Sequence, residues 1–205
     1  MLRLNKVSDF MAFRRKKADF RPDSRRQDLV QKLYLTPQQQ RKYLKWFLLA
    51  LLSVMALVLQ DVLFSRMSLF GATVDTVPCV LFMICVIHGA EGGAVFMLIG
   101  GLVYWLSGSA PGVYVILLIP VLGTVAAAFR QAYLRKGFRT TLMCTASALV
   151  LYEVLSFLAS LLLGVTRFGR VHVTVISTVL SLVILPVVFL LVWGICKIGG
   201  DAWKE

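Results

Sequence analysis

The chain alternates between long apolar runs and short polar punctuation. Six runs stand out, at approximately residues 45–64, 74–88, 92–107, 112–129, 140–163 and 173–196. A helix needs about 20 apolar residues to cross a hydrocarbon core ~30 Å thick, so the pattern predicts about six transmembrane helices. The second and third runs are short and are joined by His88-Gly89-Ala90-Glu91-Gly92-Gly93. They read as two short spans in preference to a partly re-entrant pair. Upstream, Thr36-Pro37-Gln38-Gln39 carries helix-start chemistry, with Thr36 as N-cap, Pro37 at the first helical position and Gln39 where a capping box needs it. A helix is expected from residue 37, following the membrane interface through Arg41, Lys42 and Lys45 and then entering with Trp46 as an interfacial anchor. Pro120 and Pro186 fall inside the fourth and sixth runs and predict kinks there.

Composition agrees with this pattern. The chain has 205 residues and is 59% hydrophobic, against ~45–50% for soluble domains. The expected fold class is an all-α integral membrane protein. Residues 1–36 form a basic arm, 37–196 a six-helix transmembrane domain and 197–205 a short tail.

The formal charge of +12 changes the picture only through its placement. Residues 1–45 hold 13 Lys/Arg against 4 Asp, while the remainder is apolar runs with sparse charges between them. The arm's clusters, Arg14-Arg15-Lys16-Lys17 and Arg25-Arg26, come with little that could be buried, so the arm is expected to be largely disordered. It serves either as a topology signal or as a polybasic patch on anionic lipid, where each cation near the surface contributes about 1 kcal/mol. Without a folded platform, the charge argues against nucleic acid as partner. With both termini cytoplasmic, 19 of the 22 Lys/Arg fall inside and only Arg66, Arg167 and Arg170 outside, as the positive-inside rule requires. The basic stretch 130–139 fixes the first four spans by this count, and the sixth is the least secured.

Candidate chemistry is sparse. Cys79, Cys85, Cys144 and Cys196 lie in apolar runs without metal-ligand spacing and read as packing residues. His88 and His172 fall on opposite sides of the membrane in this topology, and no catalytic or phosphate-cradling motif is present. No enzyme activity, cofactor or metal is expected. Gly89, Gly93 and Gly100, with Gly101 and Gly108 seven apart, form stripes suited to close helix packing. Ionisable groups within spans are functional candidates. Glu153, in the fifth span, is expected to be neutral or to meet a polar group from another helix or a partner. No cation lies within a turn of it, and its helical neighbours include Ser156 and Phe157. Asp61, with Gln60 beside it, and Asp75 are further candidate polar or partner contacts.

Gln60-Asp61-Val62-Leu63-Phe64, then Leu69-Phe70-Gly71-Ala72-Thr73-Val74-Asp75, then Gly89 to Gly93, then Gly100-Gly101-Leu102-Val103-Tyr104-Trp105-Leu106-Ser107-Gly108-Ser109-Ala110-Pro111-Gly112 together resemble the rod shape-determining protein MreD family, over roughly residues 45–196. The sequence departs from that family at Trp105, where an acidic residue is usual, at Thr76 or Val77, where the family is Leu-rich, and in its long basic arm. The resemblance implies a non-enzymatic scaffold of the cell-elongation machinery in the cell membrane, supporting peptidoglycan synthesis and cell shape. Its implied partner is the single-pass protein MreC, and with it the glycosyltransferase RodA, a class B penicillin-binding protein and MreB. The family is similar in fold to the S-components, the substrate-binding subunits of energy-coupling-factor transporters, and such a subunit is the alternative reading. Against it, Ala50 and Ala56 are six apart where an Ala-x-x-x-Ala docking motif is needed, and the short external loops predict no outward polar pocket.

Overall fold

The computed structural model describes residues 37–64, 74–134 and 137–198. The chain divides into two compact units, Met1–Gln40 and Arg41–Glu205. Of the first, only the opening residues of helix α1 are described. The arm's basic clusters, Thr36, Arg66, the stretch Leu69 to Thr73 and the last residues of the tail lie outside the described residues.

Six α-helices follow one another: α1 (Pro37–Leu59), α2 (Thr76–His88), α3 (Ala90–Leu106), α4 (Val115–Tyr133), α5 (Phe138–Leu162) and α6 (Val171–Ile198). A π-helical turn, Gln60–Phe64, closes α1, and a 3₁₀ turn, Phe168–Arg170, precedes α6. There is no strand among the described residues. Four stretches, Gln39–Val62, Val115–Tyr133, Phe138–Leu162 and Phe168–Lys197, are long and apolar enough to cross a membrane, and the chain is an all-α membrane protein.

The short helix α2 explains the packing. Its 13 residues reach only about 20 Å at 1.5 Å per residue, less than a hydrocarbon core. It is apolar on every side, the pattern of a helix enclosed by others. Every residue from Thr76 to Val86 is buried, and α3, α4, α5 and α6 all pack against it. The outer helices turn their other faces outward, with Leu117, Val121, Val125 and Phe129 exposed along α4 and Val175, Val179, Val183 and Val187 along α6. A four-residue repeat of exposed apolar side chains is a lipid-facing stripe.

Glycine sets how close the neighbours come. A Cβ on Gly93 would stand 2.7 Å from the Cα of Cys85, and one on Gly100 would stand 2.5 Å from a Leu81 methyl, so both glycines seat α3 directly on α2. Gly123 of α4 is held as tightly, against Met97. Gly101 instead faces Ile116 and Ile119 of α4 at 3.8 Å or more. Gly108, expected in the packing stripe, has nothing within 4 Å; its φ of +78° makes it the left-handed residue of the turn after α3. Gly89 joins α2 to α3 at φ +94°, with the Gln131 side chain occupying the space a Cβ would need.

A helix end inside a bundle needs partners for its free backbone groups, and both ends of α2 receive them from neighbouring helices. At its start, Val77 N donates to Gln60 Oε1 at 3.0 Å, and Asp75 N donates to Ser181 Oγ at 3.2 Å. At its finish, the Arg130 guanidinium donates to the Val86 carbonyl. Arg130, expected simply as a cation of the 130–139 loop, is therefore drawn into the bundle, where only 4% of it is exposed. Trp46, expected as an interfacial anchor, packs inward on His88 and Phe96, with ring centroids 5.0 and 5.8 Å away.

Candidate functional site

The polar residues collect at the end of the bundle where α1, α3 and α5 finish and α2, α4 and α6 begin. Gln60 is the hub. Its amide nitrogen donates to Asp75 Oδ1 at 3.3 Å and to the Tyr104 hydroxyl at 3.2 Å. Its amide oxygen accepts from Val77 N at 3.0 Å and from Thr76 Oγ1 at 3.4 Å. Both donors and both lone pairs of the amide are thereby used. The residue sits at the π-helical turn, a widened turn frequent at functional sites. Next to it, Asp61 accepts a hydrogen bond from Ser109 Oγ, tying the end of α1 to the turn after α3.

Asp75 leads from this hub into a cavity of about 340 Å³. It is lined by Asp75 and Ser109, by Glu153, Ser156, Phe157 and Ser160 of α5, and by Thr166, Arg170, Val173 and Thr174 around the start of α6. The α5 residues recur at i, i+3, i+4 and i+7, one continuous helix face. The Asp75 and Glu153 carboxyls are the two acidic groups that this cavity brings together. Tyr152, adjacent in sequence to Glu153, turns away and stacks edge-on against Phe82 with centroids 5.9 Å apart. Above the carboxyls, the Tyr114 hydroxyl and Ser160 Oγ share a hydrogen bond of 2.5 Å.

A polar pocket is present that the short loops did not lead one to expect, because its polar groups come from the helices as well as from the loops. The short α2 starts below the rim of the longer helices, so Asp75 arrives level with Glu153. Irregular backbone at that depth is tolerated where it is buried in protein or lines a cavity, and Val74 is buried. Arg170, distant from Glu153 in sequence, lines the same cavity from the start of α6.

Of the candidate residues, Asp75 and Glu153 are brought together, and Asp61 lies beside them through Ser109 and Gln60. Gly89 and Glu91 belong to the opposite end, near His88. Trp105 is exposed on α3. Of the hydroxyls, the sequence reading singles out Ser156 alone and misses Ser160 on α5 and Thr174, Ser177 and Ser181 on α6, although these recur at helical spacing within otherwise apolar runs. All four cysteines are buried, and none is in a disulfide. No group of three or more His, Cys, Asp or Glu side chains is arranged for a metal among the described residues.

Comparison with protein families, with curated proteins and with solved structures returns no match.

Proposed function

We propose that this chain is a non-enzymatic membrane scaffold of the MreD type, with six spans, both termini cytoplasmic and an S-component-like fold. It would sit in the cell membrane and organise the cell-elongation complex by binding an MreC-like single-pass protein. Through that protein it would support RodA, a class B penicillin-binding protein and MreB. The observation that carries the reading is the Gln60 hub. The segments that make up the resemblance are far apart in sequence, yet Gln60 is bonded to Asp75 and Tyr104 across 15 and 44 residues, and Asp61 to Ser109 across 48. The glycines of the same motifs, Gly93 and Gly100, seat α3 on α2. The motif positions thus act as one structural unit.

A scaffold also needs a surface for its partner. Between α1 and α3, with α2 as floor, lies an apolar cleft of about 110 Å³ lined by Ala50, Ser53, Leu57, Leu81, Gly100 and others. Small residues at a lipid-facing cleft allow another helix backbone to approach closely. The test is purification of the tagged chain in mild detergent, alongside an Ala50→Phe variant that fills the cleft. Recovery of an MreC-like protein with the wild type and its loss from the variant are expected. Recovery of an energy-coupling transmembrane subunit with its ATPases would instead establish the transporter-subunit reading. The polar cavity around Asp75 and Glu153 is the observation that favours that alternative.

A further inference from the structure

The deep end of the polar cavity is an acceptor surface short of donors. Glu153 is 6% exposed, and no donor among the described residues reaches its Oε1. Its neighbour Asp75 is held in place from both sides, by the Gln60 amide on its carboxyl and by Ser181 on its backbone N–H. The two carboxyls come from different helices and converge on one space. The cation among the lining residues, Arg170, is exposed at the start of α6 and leaves the deep end anionic. A buried acceptor without a donor is unfavourable as it stands, and a cavity of about 340 Å³ leaves room for the group that would satisfy it.

We propose that this cavity binds a small organic molecule through a primary ammonium group seated between Asp75 and Glu153. An ammonium brings three donors and a positive charge on a compact head. That matches a buried Glu153 oxygen lacking a donor beside a second carboxyl, Asp75, already fixed by Gln60. A divalent metal would need a fuller ligand set than these two carboxyls supply. The hydroxyls of Ser156, Ser160 and Thr174 suit polar substituents on the ligand, and Phe157 and Val173 its carbon skeleton. The site stands independently of the scaffold reading, because it belongs to the chain alone.

The test uses the purified full chain in lipid nanodiscs, with its unfolding temperature followed by intrinsic fluorescence. The probes are n-butylamine, n-butanol and butyrate at matched concentrations. Butylamine is expected to give a saturable rise of several degrees, with none from the alcohol or the acid. Glu153→Gln should fold and lose that rise. An equal rise from butanol, no rise from butylamine, or an undiminished rise in Glu153→Gln would overturn the proposal. Should Glu153→Gln fail to fold, a second measurement on the wild type decides. Labelling of Glu153 by a hydrophobic carbodiimide, read by mass spectrometry, should slow several-fold with butylamine and not with butanol, and an unchanged rate would overturn the site.

Discussion

At the residue scale, one amide and one carboxyl carry the polar end of the bundle. Gln60 satisfies four groups that are buried or partly so, and replacing it with Ala leaves the Val77 N–H without its partner and the Tyr104 hydroxyl with only its 3.5 Å bond to the Ser109 carbonyl. Each buried group left unpaired costs on the order of 1–3 kcal/mol, so Gln60→Ala is expected to lower the unfolding temperature clearly in a thermal scan. Asp61→Asn, which keeps an acceptor for Ser109, should change it little. Glu153 gives a second contrast. Glu153→Gln keeps a hydrogen-bonding group against Asp75 and should assemble normally. Glu153→Leu places a branched alkyl group in the cavity beside Asp75, and is expected to reduce yield or stability on gel filtration. Glu153 could be singled out in the sequence because a carboxylate in an apolar run is costly and therefore meaningful. Asp75 was legible as a candidate too, but its meeting with Glu153 was not, because that depends on where α2 begins in depth, which no local pattern encodes.

At the scale of the elements, the glycines separate into two mechanisms with different signatures. Gly93 is limited by space, since its Cβ would collide with the backbone of Cys85, which cannot move aside. Gly93→Ala should therefore already disturb the α2–α3 contact, and Gly93→Leu or Gly100→Leu should disrupt assembly. Gly101→Ala, with its nearest neighbour at 3.8 Å, should be tolerated, and comparing monodisperse yield across the four variants checks this order. Gly108 is limited by conformation, and Gly108→Ala is expected to cost about 1–2 kcal/mol from the left-handed φ alone. The apolar runs made six helices legible, and Gly93 and Gly100 were readable as packing residues from spacing. The separate role of Gly108 was not readable, because a stripe at helical spacing continues on paper past the point where the helix has ended at Leu106. The central position of α2 lay in the sequence as a mismatch: a helix too short to span and apolar all round must be enclosed by others. What enclosed it required contacts between distant segments.

At the scale of the whole molecule, the question is which ends share a side of the membrane. Helix α1 enters the bundle near Trp46, whose ring packs on His88 at the end of α2. Helix α6 finishes at the same place, with Cys196 Sγ 3.8 Å from His88 Nε2. The beginning of the first long helix and the end of the last therefore meet at one end of the unit. The proposed six-span arrangement, with its even number of crossings, would account for that meeting. The cations follow the same division. Lys45, Arg130, Arg139 and Lys197 lie toward the His88 end of their helices, and Arg167 and Arg170 lie in the α5–α6 turn at the other. The excess of positive charge marks the cytoplasmic side, so the His88 end should be cytoplasmic and the Asp75–Glu153 cavity should open outward. A reporter active only in the cytoplasm is expected to be active when fused after Glu205, and one active only outside should respond when inserted after Gly169. An external signal from the fusion after Glu205 would mean an odd number of crossings, contradict the meeting of α1 and α6 at His88, and turn the cavity's access to the opposite face.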